Sequence, residues 1–375
     1  MRIAYDHQIF GWQEYGGISR YFFELASHLA VSPGSDVTIA APLYVNRYLK
    51  DCPPALNLLG RALPSLPKAG RILRAINSAI VPGIMRRIAP DIVHETYYAT
   101  HRTASVSATV VLTVFDMIHE RFARDYLAVD PTSREKAAAV ARADHIICIS
   151  ENTRADLIEL LDVPPAKTSV VYLGTTPMRP VRNAKQAGAR RPYILHVGLR
   201  QGYKNFATLL KAYAHSPRLL RDFDLICFGG GRFTADELRL GAELHVSPQR
   251  LVQISGNDDE LAAHYAGAAV LVYPSLYEGF GIPPLEAMSA GCPVVCGNTS
   301  SLPEVVGDAA ETCRADDEEE MRAAIERVLD SRDRARDLVV RGLARTQRFT
   351  WKTCAEETLQ IYQHLRSAGD GDLHR

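Results

Sequence analysis

At 375 residues the chain is longer than the roughly 250–300 at which a single core tends to split, so two domains of ordinary size are expected. Apolar residues at 47% and charged residues at 23% are ordinary for a globular protein and exclude a disordered or fibrous chain. Forty-three basic residues balance forty-three acidic ones, which argues against nucleic acid as a partner.

The first ten residues, "MRIAYDHQIF", enter a strand pattern without a charged leader and apolar core, and no run reaches the roughly 18 apolar residues of a membrane span. Neither secretion nor membrane insertion by signals of its own is expected. The seven cysteines are odd in number and sit in apolar runs such as "HIICIS" and "LICFGG", as buried reduced thiols of a cytoplasmic protein would. Cys292 and Cys296 in "GCPVVCG" lack a second pair or a histidine that would complete a zinc site.

In chain order, strand-like runs are "RIAY", "DVTIA", "DIVHE", "TVVLTVF", "HIICIS" and "SVVYLG", then "YILHVG", "DLICFGG", "LVQIS", "AVLVYPS" and "PVVCG". Continuous apolar runs alternating with helical segments point to parallel strands buried on both faces. Ile18, Tyr21, Phe22, Leu25 and Leu29 recur at helical spacing, as do Met321, Ile325, Val328 and Leu329. The class is α/β, doubly wound. Residues 175–192, "TTPMRPVRNAKQAGARRP", have no apolar period and the composition of a linker. Two facing Rossmann-like domains with a cleft between them follow, with boundaries at 1–178 and 190–349.

Residues 277–295, "YEGFGIPPLEAMSAGCPVV", carry the clearest chemistry. "AVLVYPS" reads as a strand, "LYEGFG" as the loop leaving its carboxyl end, and "IPPLEAMSAG" as a helix with proline in its first turn and Gly291 as its stop. Gly279 and Gly281 let backbone approach a ligand, and free N–H groups at a helix start attract phosphate. Glu278 on the loop and Glu286 in the first helical turn are strong acceptors for sugar hydroxyls, so the pair suggests a nucleotide-sugar with one carboxylate for each ring. The alternative makes Glu286 a helix-dipole residue and Glu278 a solvated loop charge. Arg200 and Lys204, four apart after the "YILHVG" strand, suit phosphate neutralisation at the same edge, or are ordinary surface charges.

"EGFGIPPLE" resembles the E-x7-E signature of the retaining glycosyltransferases of the GT-B fold, family 4 in the sequence classification. "YGGISRYFFELASHLA" is similar to that family's N-terminal glycine turn and first helix, "VGLRQGYKN" to its Arg/Lys segment, and "SLPEVVGDAA" to the stretch after the signature. The resemblance spans essentially the whole chain. It implies that Glu286 holds the ribose hydroxyls and that Glu278, with the backbone of Gly279, Phe280 and Gly281 and the adjoining Ile282 and Leu285, meets the donor sugar. Arg200 and Lys204 would neutralise the diphosphate, Gly16 and Gly17 would approach it from the opposite domain, and the base would lie near 252–256. It further implies no metal and no cofactor, retained anomeric configuration, and a final helix, 350–368, that returns to the N-terminal domain with Trp351 and Tyr362 as anchors. Cleft closure would hinge near 175–192 and 345–350. The nearest flavour is the bacterial mannosyltransferases of O-antigen or exopolysaccharide assembly, with GDP-mannose as first donor, a UDP-hexose next, and a saccharide or lipid-linked saccharide as acceptor.

One departure stands out. Where much of the family has a histidine at the end of the "TVVLTVF" strand, this sequence has Phe115 followed by Asp116. Asp116 could take the acceptor's proton, with His119 close by, or could merely cap the next turn. "DIVHETYY" offers His94, Glu95, Tyr97 and Tyr98 to an acceptor or to the core. His196 reads as a packed core histidine. "DFD" at 222–224 imitates a metal motif of another fold but precedes a buried strand, and "GDGD" at 369–372 reads as a polar tail.

Residues 52–90 carry Arg61, Lys68, Arg71, Arg74, Arg86 and Arg87 and no acidic residue, the composition of a segment that lies on an anionic membrane surface, or of a solvated helix face. Two other readings use the same fold: a UDP-N-acetylglucosamine 2-epimerase, and a non-catalytic nucleotide-sugar binding subunit.

Overall fold

The computed structural model describes residues 1–64, 70–104, 107–123, 130–178 and 191–372. The chain divides into two compact units, Met1–Gly174 with Thr350–Arg375, and Thr175–Phe349. Most of the linker stretch, 179–190, lies outside the described residues, as does Lys68.

The first unit holds strands β1 (Arg2–Tyr5), β2 (Asp36–Tyr44), β3 (Asn57–Ala62), β4 (Ile92–Glu95), β5 (Thr109–Val114), β6 (His145–Cys148) and β7 (Thr168–Val170). They form a parallel sheet in the order β3-β2-β1-β4-β5-β6-β7. The second unit holds β8 (Tyr193–Val197), β9 (Asp224–Phe228), β10 (Leu251–Ile254), β11 (Val270–Tyr273), β12 (Val294–Gly297) and β13 (Glu311–Cys313). These pair in parallel in the order β10-β9-β8-β11-β12-β13. In each sheet the winding reverses beside the first strand, between β1 and β4 and between β8 and β11. Ligands of doubly wound sheets bind outside the carboxyl ends of the strands at such a switch point.

The apolar runs become strands because both faces are covered. Helix Gly17–Ala30 buries Tyr21, Phe22, Leu25 and Leu29, at roughly 1.5–3 kcal/mol for each large apolar side chain. In the second unit Ile194, Leu225, Val270 and Val272 of the strands pack with Phe206, Leu209, Met321 and Ile325 of the helices. Helix starts carry their own signals: Thr234 with Glu237 and Asn257 with Glu260 form capping boxes.

Two strands escape an apolar-run reading. β3 is an edge strand whose side chains are almost all exposed, and β13 has three residues. The last helix, Trp351–Asp372, belongs to the first unit, and its backbone carries through the "GDGD" stretch that reads as a tail. Tyr362 anchors it: its fully buried hydroxyl lies 2.5 Å from His94 Nδ1 and 3.3 Å from the Tyr5 hydroxyl. At its start, Trp351 lies against Gly174, where a Cβ would come within 2.4 Å of the Trp351 nitrogen.

The described residues of segment 52–90 include β3 and helix Gly70–Ile88. Ile72, Ile76 and Ile80, spaced by four, are exposed on that helix, and Arg74, Arg86 and Arg87 are exposed too. Among the described residues no helix is long and apolar enough to cross a membrane.

Candidate active site

In the second unit the loops leaving β8 and β11 are tied together by backbone. Leu276 N donates to Tyr203 O at 2.8 Å, and the Asn205 side-chain amide donates to Pro274 O at 3.1 Å. This lacing brings Lys204 to Glu278 at the switch point: Nζ lies 2.7 Å from Oε1. The same oxygen accepts the Tyr273 hydroxyl at 2.7 Å. Tyr273 is the last residue of β11 and is buried, and burial next to the Glu278 carboxylate raises its phenol well above the ordinary value. It is therefore a neutral donor that fixes the carboxylate.

The turn that follows is held from behind. Ser300 Oγ accepts from Glu278 N at 2.9 Å, and Ser301 Oγ donates to Glu278 O at 2.9 Å and Phe280 O at 2.7 Å. Gly281 adopts φ +121, and a Cβ there would meet Leu302 Cδ2 at 2.9 Å. A side chain at that position would be strained in both backbone and space. Helix Ile282–Ser289 starts directly after it with Pro283 and Pro284. Glu286 is the fifth residue of that helix, beyond the first turn expected for it, and its Oε2 accepts the Tyr265 hydroxyl at 3.0 Å. Burial and Glu286 raise the Tyr265 phenol well above its usual value. Phe280 and Leu285 are buried, Phe280 edge-on to Phe349 with centroids 5.6 Å apart, and Ile282 is half-buried. Gly279 lies within the loop between the two carboxylates.

Arg200 sits differently from Lys204. Its guanidinium bonds Glu237 and the carbonyls of a glycine-rich loop. His196 is a core residue: it is 1% exposed, packs on Phe206, and is held at about 4 by burial. Asp224 of the "DFD" stretch lies at the amino end of β9, paired with Arg250 at 3.1 Å and Arg191 at 3.5 Å.

In the first unit the switch point is closed by a polar cluster. Asp6, after β1, accepts from Thr96 N at 3.0 Å, Thr96 Oγ1 at 2.6 Å and Thr103 Oγ1 at 3.1 Å. Glu95, fully buried, accepts from Thr103 Oγ1 at 3.2 Å and lies 2.5 Å from Arg142 Nη2. Burial and the neighbouring Asp6 push its carboxyl up to about 7, against the opposing pull of Arg142 and Thr103. His94 is likewise buried. Nε2 lies 2.8 Å from Thr113 Oγ1 and Nδ1 faces Tyr362, so both nitrogens are used inside the core rather than on the strand-end surface expected of an acceptor contact. Tyr97 is half-buried, its ring 5.1 Å from that of Trp12.

Asp116, 30% exposed at its side chain, accepts from Ile118 N at 3.0 Å, the bond of a turn cap, and lies 3.9 Å from the buried Lys136 ammonium. Lys136 also donates to Glu120 at 2.7 Å. His119 is placed 3.6 Å from Asp130. Gly16 precedes helix Gly17–Ala30; the Gln13 side chain fills the space a Cβ would need, 2.3 Å from Oε1, and Gly17 has open space there.

Two family models match consecutive stretches of this chain: Glycosyltransferase Family 4 over residues 15–179 and Glycosyl transferases group 1 over residues 179–344. The chain belongs to the family 4 glycosyltransferases of the GT-B fold. It is 29% identical over 372 residues to O-antigen chain mannosyltransferase B of Escherichia coli, covering 93% of this chain and 96% of that one. To the serotype-specific mannosyltransferase WbdA of the same organism it is 27% identical over 307 residues, 74% of this chain but only 37% of that longer protein. The crystal structure of Anabaena Alr3699/HepE in complex with UDP-glucose has the same fold, with a TM-score of 0.72 and 16% identity over 97% of this chain and 100% of that one.

At the strand end where the resemblance implied a histidine, this chain has a phenylalanine. Phe115 is 8% exposed and packs edge-on to Tyr21, with centroids 5.3 Å apart. The position is filled by an aromatic core contact. Sequence reading missed Tyr273 and Tyr265, the phenols that fix the two signature glutamates, and Ser300 and Ser301, which shape the turn. A tyrosine ending an apolar strand immediately before the signature loop was the available signal for Tyr273. Nothing local pointed to Tyr265, which reaches Glu286 from the helix Asp258–Gly267.

Proposed function

We propose that this glycosyltransferase moves a hexose, mannose first, from a nucleoside diphosphate donor to a saccharide or lipid-linked saccharide acceptor with retention of anomeric configuration, in surface polysaccharide synthesis. The observation that carries the reading is the convergence of Lys204, Tyr273 and Glu278 at the β8–β11 switch point, directly before the positive dipole end of helix Ile282–Ser289, where Pro283 and Pro284 supply no N–H and the charge rests on Lys204. The mannosyltransferase names of the relatives support the sugar; GDP as its carrier is what the resemblance implies. The complex of the HepE neighbour with UDP-glucose favours a UDP-hexose as the second reading.

In this reading Glu286, steadied by Tyr265, holds the ribose hydroxyls, and Glu278 takes hydroxyls of the transferred sugar. Lys204 neutralises charge as the C1–oxygen bond to the diphosphate breaks and C1 bonds to the acceptor oxygen. The acceptor's proton passes to an oxygen of the departing diphosphate. No metal and no cofactor enter the scheme. Tyr97 and Asp116, half-buried at strand ends of the first unit, are assigned to the acceptor. Helix Gly70–Ile88, with its exposed isoleucines and arginines, is assigned to an anionic lipid surface at the inner face of the membrane.

Thermal stabilisation by GDP, UDP, ADP and their sugars, beside Glu286→Ala, tests the donor. A shift with GDP and GDP-mannose that the variant loses is the expected result. A shift confined to UDP ligands moves the reading to a UDP-hexose. Silence with every nucleotide rejects the donor site. Co-sedimentation that shows no preference for anionic over neutral vesicles rejects the lipid surface.

A further inference from the structure

We infer that Arg200 is a positioning residue that braces the glycine loop after β9, and that Lys204 alone of the two cations meets the donor diphosphate; this rests on the donor-site reading above.

Gly229, Gly230 and Gly231 leave the carboxyl end of β9 with φ of +78, +68 and +73. Three successive residues in the left-handed region are costly for backbone entropy and need outside support. Arg200 provides it: Nη1 donates to Gly229 O at 3.2 Å, and Nη2 to Gly231 O at 3.0 Å and Arg232 O at 2.9 Å. Its Nε donates to Glu237 Oε1 at 2.8 Å, with Nη2 to Oε2 at 3.4 Å. Glu237 is itself held, since Oε2 accepts from Thr234 N at 2.7 Å in the capping box of helix Ala235–Glu243. The loop approaches the arginine too closely for any side chain: a Cβ at Gly230 would fall 2.4 Å from Gly198 O and 2.8 Å from Arg200 Nη1.

Every nitrogen of this guanidinium is therefore engaged within the unit. The side chain is 2% exposed, with the Phe233 ring 4.7 Å away. Turning it toward a phosphate would strip three carbonyls of their donor and leave the Glu237 carboxylate unpaired and largely buried. Lys204 faces no such barrier. Its ammonium is 16% exposed, on a flexible stem, and its ion-pair partner is Glu278 at the switch point.

The test compares binding of GDP and guanosine, and of UDP and uridine, to the wild type and to Arg200→Gln, Glu237→Gln and Lys204→Gln. Lys204→Gln is expected to erase about tenfold to a hundredfold of the preference for diphosphate over nucleoside, the worth of charge-assisted hydrogen bonds. Arg200→Gln and Glu237→Gln are expected to weaken nucleoside and diphosphate by the same factor, leaving the preference intact. A collapse of the preference in Arg200→Gln without a matching change in Glu237→Gln overturns the inference. Hydrogen exchange of the 225–234 peptide in nucleotide-free protein gives a second readout. Faster exchange in Glu237→Gln, with Lys204→Gln unchanged, supports the brace; unchanged exchange in Glu237→Gln refutes it. Should the wild type bind no nucleotide or nucleoside, the donor-site reading falls with the Lys204 assignment, and exchange alone still decides the brace.

Discussion

Lys204 and Glu278 stand 74 positions apart in sequence and 2.7 Å apart in space. They meet because two parallel strands, β8 and β11, are neighbours although β9 and β10 come between them in the chain. The ion pair thus occupies the place where a doubly wound sheet opens to ligands.

Glu278→Gln and Lys204→Gln should each lower kcat/KM for transfer by at least about tenfold to a hundredfold, the loss of one charge-assisted contact in the transition state. Glu278→Gln keeps an acceptor oxygen for Tyr273 but leaves the largely buried Lys204 ammonium without its carboxylate, so its Tm should fall below that of the wild type while the fold is kept. Steady-state kinetics beside thermal melts separates the two effects.

Tyr265→Phe removes the hydroxyl that fixes Glu286 at 3.0 Å without altering ring packing. A donor affinity loss of roughly fivefold is expected, about 1 kcal/mol, against a larger loss in Glu286→Ala. Calorimetric titration with the nucleoside diphosphate that stabilises the wild type reads both.

Introducing the histidine that the resemblance implied at position 115 should not help. Phe115→His places a polar ring against Tyr21 in a buried site, at a cost of about 1–3 kcal/mol if its nitrogens find no partner. The variant should melt earlier than the wild type with transfer no faster. A gain in kcat would show that the Phe115 position faces the reacting sugar.

The acid limb of stability should carry two buried histidines. Burial holds His94 at about 3 and His196 at about 4, below the ordinary value near 6.5. At these two sites the unfolded chain binds more protons than the folded one between about pH 6.5 and 4, whereas Glu95, pushed up to about 7, acts in the opposite sense above about pH 4.5. The histidine contribution is therefore full above that window and falls as pH falls through it, by up to about 1.4 kcal/mol per pH unit for each group. His94→Gln should be less stable at pH 7, having lost its bonds to Thr113 and Tyr362, yet decline less steeply on acidification. Denaturant midpoints measured across that range give the slope difference.

Gly281→Ala should lose both stability and donor binding, since φ of +121 and Leu302 at 2.9 Å leave no room for a methyl group. A drop of at least about 1 kcal/mol is expected. The denaturant midpoint and the thermal shift with nucleotide check the two losses separately.

Much of this was legible in the chain by itself. Apolar runs such as "YILHV" and "VLVY", alternating with helical periods, determined two parallel-sheet units, because strands buried on both faces must be apolar throughout. The signature "EGFGIPPLE" determined where the carboxylates and the helix start lie, because proline and glycine set the local backbone without help from distant residues. Edge strand β3 was hidden for the converse reason: its side chains face solvent and leave no apolar run. Partners were decided only by tertiary structure. Arg200 and Lys204, four apart and alike in charge, go to Glu237 and to Glu278. His94 and Tyr97, three apart, go to the core beside Tyr362 and to the exposed ring of Trp12. Spacing placed each of these side chains at a strand end, but its partner comes from an element tens to hundreds of residues away. Sheet order and the return of the last helix supply that partner, and no local pattern encodes either.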